Sequence, residues 1–265
     1  MTGIISPSRQ TYDTLMKYKV KVPIEIIPTG VNVLHSAAED TSIALREKLG
    51  LKPETPVVLS LGRVAFEKNL DDALSVFAEA LEEVPDAMFI IVGGGPAMSA
   101  LQEHVSALEI DDHVIFTGEV NHNDVYGYYK MGDVFVSASV SETQGLTFIE
   151  AMTADTPVVA IHSPYLDTIV TDENIGTLVD DSFGLLEPMV MYLKAKTTGE
   201  TIGNPETRAA VLHEIDERTF GKRVIDFYAE ALAVYHEEED TEAAEANDVE
   251  YSKTFLLRNP FRRDD

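Results

Sequence analysis

From about Pro56 the chain alternates short apolar runs with amphipathic segments, and this alternation constrains the fold more than any other feature. Six runs read as strands: VVLSLG, MFIIVGG, HVIFTGEV, DVFVSASV, PVVAIH and GTLVDD. Between them lie segments such as NLDDALSVFAEALEEV and PAMSALQEHVSALEI, whose apolar residues recur three or four positions apart, the helical period. Strand and helix repeat in this way through Asp181, which predicts an α/β domain with a doubly wound parallel sheet.

The flanks behave differently. TGIIS reads as a short strand, Ser6 and Pro7 suit the cap and first turn of a helix through about Tyr18, and IEIIPTGVN is an extended segment ending in a turn. One strand and one helix cannot bury a sheet face, so residues 1–33 are expected to be the last piece of another domain with a linker. The α/β domain with its added C-terminal helices is expected over 34–237. Those helices are FGLLEPMVMYLKAK, NPETRAAVLHEID and FGKRVIDFYAEALAVYH. Residues 238–265 read as an acidic linker followed by a basic and apolar tail.

Composition removes several function classes. The 265 residues are 45% hydrophobic, enough for a substantial core, and no apolar run is long enough to cross a bilayer. A net charge of -26 argues against nucleic acid as a partner, because neutralising phosphate backbones takes a basic face. Zero cysteines exclude disulfides and thiolate metal sites and fit a reducing cytoplasm. The charge is uneven, however. Arg9, Lys17, Lys19 and Lys21 against Asp13 leave residues 1–24 at +3, and Lys253, Arg258, Arg262 and Arg263 leave residues 251–263 at +4. Two basic ends flank an acidic body.

In an open parallel sheet, ligands bind beyond the carboxyl ends of the strands, where helix N-termini present unpaired amides. The residues there are Gly62, Arg63 and Lys68 in GRVAFEK, Gly93 to Pro96 in GGGP, Gly118 to Val120 in GEV, and SETQGLTFIEAM from Ser141 to Met152. Arg63 and Lys68 suit a diphosphate, whose anionic oxygens point several ways, although a solvated loop also carries such cations. GGGPAMSA lacks the G-x-G-x-x-G fingerprint, so a tight turn into a helix and close approach to a nucleotide both explain it. In SETQGLTFIEAM, Ser141 and Gln144 have capping-box spacing and Glu150 suits an exposed helix face. Gly145 near a helix start equally suits phosphate, with Glu142 and Glu150 placed to accept from hydroxyls on either side.

These residues resemble a known family. SETQGLTFIEAM is similar to the E-x7-E element of retaining glycosyltransferases of family four, which have the GT-B fold of two facing Rossmann-like domains. LGRVAFEKNLDDAL resembles that family's phosphate loop, IVGGGP its glycine turn and IEIIPTGVN its interdomain segment. ETQGLT and IEAM followed by PVVA and PYLD resemble, more narrowly, bacterial 1,2-diacylglycerol 3-alpha-glucosyltransferases. The resemblance implies a Rossmann-like C-terminal half of a GT-B fold and a UDP-sugar donor, with glucose the expected hexose and diacylglycerol the expected acceptor. Arg63 and Lys68 would hold the diphosphate, Glu142 the sugar hydroxyls, the Gly145 and Leu146 amides the phosphate, and Glu150 the ribose. Val120 would meet the base through its backbone, and Gly62 and Gly94 complete the donor-binding set. No metal or cofactor is expected, because fixed cations and a helix N-terminus supply the charge stabilisation.

The resemblance also implies a departure. Residues 1–33 match only the end of the family's N-terminal domain, which supplies most of the acceptor site. The chain alone is therefore expected to bind donor with little or no transfer. Its basic ends are either ordinary terminal cations or a side turned to anionic lipid, which would make the protein peripheral at the inner face of the membrane. Competing readings are a different acceptor, in the cell wall or an exopolysaccharide, a non-catalytic partner module of the same fold, and a sugar-nucleotide epimerase.

Overall fold

The computed structural model describes residues 3–31, 38–140, 142, 144–170, 175–200, 202 and 205–236. A small unit leads: β1 (Ile4–Ser6), α1 (Arg9–Lys17) and β2 (Ile24–Ile26), with β1 and β2 paired in parallel. The main domain then runs through α2 (Ala38–Lys48), β3 (Val57–Leu61), α3 (Leu70–Ala80), β4 (Met88–Val92), α4 (Met98–Ala107), β5 (Val114–Gly118) and α5 (His122–Met131). It continues with β6 (Val134–Ser137), α6 (Leu146–Thr153), β7 (Val158–Ile161), α7 (Leu166–Ile169), β8 (Gly176–Val179), α8 (Leu186–Thr198) and α9 (Pro205–Glu214). A last helix, α10, spans 217–236.

All six expected strands form one parallel sheet in the order β5-β4-β3-β6-β7-β8. The chain winds outward from β3 to β5, then returns to lay β6 beside β3. This reversal opens a crevice at the carboxyl ends of β3 and β6, where doubly wound folds bind ligands. The central strands are mostly apolar because both faces are covered. Val57 and Leu59 face a core completed by α5, α6 and α7, while Val58 between them faces a second core under α3, α4 and α8. The fold expected from the sequence, a doubly wound α/β domain with added C-terminal helices, is the one observed.

Local chemistry explains the helix bounds. On α3 the buried positions Leu70, Ala73, Leu74, Phe77 and Ala80 follow the helical period, and Asp71 and Asp72 sit in the first turn, where the dipole favours anions. Gly199, with φ 72°, closes α8 in the left-handed conformation that glycine adopts most cheaply. The start of α1 corrects an expectation. Its cap is Ser8, whose side chain accepts from the Thr11 amide, and Ser6 belongs to β1 instead. Ser6 is taken up by the strand, paired with Ile26 and accepting from the Ile27 amide at 2.9 Å, so the helix begins two residues later than the Ser6 reading required.

The leading unit is held by α10 and the turn before it. Arg223 of α10 donates to the Ile26 carbonyl at 2.7 Å, and the Val31 amide donates to the Ile215 carbonyl at 2.9 Å. An added Cβ would lie 2.6 Å from the Phe227 ring at Gly3 and 2.6 Å from the Phe220 Cβ at Gly30, so these glycines let α10 lie against the unit. The acidic linker and basic tail read at 238–265 lie outside the described residues. Among the described residues, no helix is long and apolar enough to cross a membrane.

Below the sheet, Arg46 of α2 ties the amino end of β3 to the end of α5. It donates to the Thr55 carbonyl at 2.8 Å, the Met131 carbonyl at 2.5 Å and Asp133 Oδ2 at 3.3 Å. Asp133 Oδ2 also accepts from the Val57 amide at 2.8 Å, and its Oδ1 faces Lys196 Nζ at 3.3 Å.

Candidate functional site

Strands β3 and β6 are apolar until their last turn, where Ser60 and Ser137 face a cavity of about 560 Å³ at the carboxyl end of the sheet. Two loops close it. Residues 62–69 come after β3, with a single 3-10 turn over Phe66–Lys68, and residues 138–145 come after β6. Asn69 joins them: its backbone is left-handed at φ 48°, and its side-chain amide donates to the Ala138 carbonyl at 3.2 Å. Asparagine tolerates this conformation better than most residues, which explains its place between turn and helix.

The cavity wall brings together Gly62, Arg63, Lys68, Glu142, Gly145 and Leu146. Lys68 Nζ donates to Glu142 Oε1 at 2.6 Å, and Glu142 is largely buried with 11% side-chain exposure. Arg63 pairs with Glu67, four residues on, at the exposed lip. Each cation thus holds a carboxylate of the same cavity. The N-terminus of α6 opens on the opposite wall through Gly145, Leu146 and Thr147. Gly145 caps it at φ 59°, and a Cβ there would sit 2.4 Å from the Phe148 ring. Gly145 has no side chain with which to cap the helix, and among the described residues no side-chain bond to the cap is seen, so its first amides face an anion's natural position.

This geometry overturns the capping-box reading. The helix begins at Leu146, so Gln144 precedes it and cannot sit at its third position. Gln144 is buried and its amide donates to the Thr29 carbonyl at 3.3 Å, tying the loop to the segment after β2. Ser141 lies outside the described residues.

Glu150 lies one turn into α6 and faces an adjoining hollow of about 290 Å³, with Gly30, His122, Tyr126 and Tyr129. Leu146 lines both spaces, so the two adjoin at the helix start. Tyr129 OH donates to Glu150 Oε2 at 2.9 Å. Burial, then the nearby Glu150 carboxylate, raise the Tyr129 phenol well above its usual range, and burial with Asp155 also raises Tyr126. Both therefore stay protonated donors at neutral pH.

Val120 and Gly94 line neither space. The Val120 side chain packs on the core beyond β5, and Gly94 stands beside Glu119, whose Cγ would be 3.1 Å from an added Cβ. The rest of the glycine run serves loop packing. A Cβ at Gly93 would lie 1.9 Å from the Gly62 carbonyl oxygen, and the Val64 amide donates to the Gly94 carbonyl at 2.9 Å. The turn after β4 therefore supports the 62–64 backbone by close packing of the two loops.

Glu67, Thr147 and Tyr129 were not singled out from the sequence. A polar residue closing an apolar strand, as Ser60 and Ser137 do, was the available signal for the cavity wall. A larger hollow of about 750 Å³ lies at the amino ends of β3, β4 and β5. Its Lys194 pairs with Glu83, and Lys196 with Asp133. Position at the topological reversal, rather than size, identifies the candidate site.

Residues 42–183 match the family described as glycosyl transferases group 1. The alpha-monoglucosyldiacylglycerol synthase of Streptococcus pneumoniae is 38% identical over 234 residues, covering 87% of this chain and 52% of its own length. That of Acholeplasma laidlawii is 28% identical over 232 residues, covering 86% and 56%. The chain thus spans about half the length of these curated relatives. Among solved structures, Anabaena HepE in complex with UDP superposes with a TM-score of 0.76 at 18% identity, covering 86% of this chain and 64% of that one. The parallel sheet, the cavity at its reversal point and the family match over more than half of the residues place this chain among the group 1 glycosyl transferases.

Proposed function

We propose that the chain is the donor-binding part of a retaining hexosyltransferase that moves glucose from UDP-glucose to diacylglycerol. The observation that carries this reading is the convergence of Lys68, Arg63 and the glycine-capped N-terminus of α6 on one cavity, with Glu142 beside them. Cations and helix amides together suit a diphosphate. Glu142 then accepts from sugar hydroxyls on one side, and Glu150, across Leu146, accepts from the ribose on the other. Val120 and Gly94 would meet the base and the phosphates through backbone groups only. The names of the two synthases support glucose and diacylglycerol, and the UDP complex of HepE supports the nucleotide.

On this reading, the bond from the sugar C1 to the diphosphate oxygen breaks as C1 bonds to the acceptor oxygen on the same face. The acceptor proton passes to the departing β-phosphate, so no protein nucleophile is required. Lys68, Arg63 and the α6 amides stabilise the charge that grows on the diphosphate, in the role a metal ion has elsewhere. The acceptor site belongs mainly to a further N-terminal domain of the whole protein, and contact with lipid is peripheral.

Calorimetric titration of this chain with UDP-glucose and GDP-mannose tests the donor assignment. UDP-glucose is expected to bind at one site at least about tenfold more tightly, a difference of roughly 1.4 kcal/mol. Equal affinities, or tighter GDP-mannose, would overturn the assignment of the base and sugar.

A further inference from the structure

The Glu150 carboxylate is gripped from below by a phenol that reaches it from another element. Tyr129 lies in the last turn of α5 and its side chain is entirely buried. Its ring packs at 5.7 Å on Phe135 of β6, which meets Phe148 of α6 edge-on at 5.5 Å. Its carbonyl accepts from Thr156 Oγ1 at 2.6 Å and from the Gly132 amide at 3.0 Å, fixing the backbone as well. The one polar atom of this immobile side chain ends 2.9 Å from Glu150 Oε2.

We propose that Tyr129 is a positioning residue for the donor ribose: it holds one oxygen of Glu150 and thereby sets the plane in which the carboxylate receives the ribose hydroxyls. This rests on the donor reading above. A glutamate on a helix surface has three rotatable bonds, and ordering them on binding costs affinity. Anchoring one carboxylate oxygen to a rigid donor places that cost in folding rather than in binding. The phenol is suited to the role because it remains protonated beside a carboxylate and acts as a donor there. Tyr126, the hollow's other tyrosine, donates to the Thr153 carbonyl at 2.7 Å, so it shapes the wall around the pair.

The test compares UDP with 2′-deoxy-UDP by calorimetry in the parent chain and in Tyr129→Phe, with melting temperatures recorded for both. In the parent, UDP is expected to bind about tenfold more tightly than 2′-deoxy-UDP, the loss from leaving a site carboxylate without its hydroxyl. In Tyr129→Phe, UDP is expected to weaken about three- to tenfold while 2′-deoxy-UDP changes less than about twofold, so the ratio collapses. Equal weakening of both nucleotides would assign Tyr129 a general structural role and overturn the inference, as would no change in either. Equal binding of both by the parent would remove ribose from Glu150, and this inference with it, while leaving the diphosphate assignment intact. Failure of the parent to bind either would overturn the donor reading itself.

Discussion

Lys68→Ala is expected to weaken binding of UDP and of UDP-glucose alike, by about 10- to 100-fold, since a hydrogen bond to a charged group is worth roughly 1.5–3 kcal/mol. The two ligands share the diphosphate, and Lys68 is the more enclosed of the two cations on the cavity wall, with 31% side-chain exposure against 65% for Arg63. Removing it also leaves Glu142, its partner at 2.6 Å, as an unpaired anion facing the phosphates. The companion variant Glu142→Ala separates the two roles. It deletes the acceptor for sugar hydroxyls, so UDP-glucose should weaken while UDP, which has no sugar to lose, holds or tightens as Lys68 is released. Calorimetry on both variants with both ligands reads this directly. Unchanged affinity in Lys68→Ala, or parallel losses of both ligands in Glu142→Ala, would contradict the division of labour.

Asp133→Ala is expected to cost about 3 kcal/mol of stability, the low end of the range for breaking a buried ion pair. Arg46 and Asp133 are 11% and 13% exposed, so solvent does little to replace the lost carboxylate. The low end applies because Arg46 keeps the Thr55 and Met131 carbonyls as acceptors. The Val57 amide at the start of the central strand is left without the carboxylate it bonds at 2.8 Å. For a domain of this size the melting temperature should fall by roughly 6–12 °C. Asp133→Asn, which retains an oxygen for Val57, should lose clearly less. A thermal melt unchanged by the alanine substitution would show that the cluster does not hold the amino end of β3 to α5.

The six strands, their doubly wound parallel arrangement and the binding end of the sheet were legible because they arise from local patterns, whereas the order of the strands in the sheet is seen only in the structure. An apolar run followed by an amphipathic helix dictates a parallel crossover, and the reversal between β3 and β6 places loops 62–69 and 138–145 side by side. Arg63, Lys68, Glu142, Gly145 and Leu146 met in one cavity for that reason. What stayed hidden depended on partners far along the chain. Gln144 has capping-box spacing from Ser141, yet its side chain answers to Thr29, 115 residues away. The reason for Gly93 lies thirty-one residues away, where the Gly62 carbonyl leaves no room for a Cβ. Tyr129 was not singled out, because nothing in its own segment reveals that its hydroxyl ends at Glu150. The shift of the α1 cap from Ser6 to Ser8 has the same origin, since Ser6 pairs with Ile26, twenty residues on.

The central claim is that the cavity between β3, β6 and the start of α6 holds a sugar nucleotide by its diphosphate. A crystal structure of the chain with UDP-glucose tests it most directly. The diphosphate is predicted within hydrogen-bond distance of Lys68 Nζ and the Gly145 and Leu146 amides, with the Lys68–Glu142 pair opened and the ribose at Glu150. A nucleotide bound instead among Lys52, Lys194 and Lys196 at the amino ends of the strands, or in the cavity with that pair intact, would contradict it.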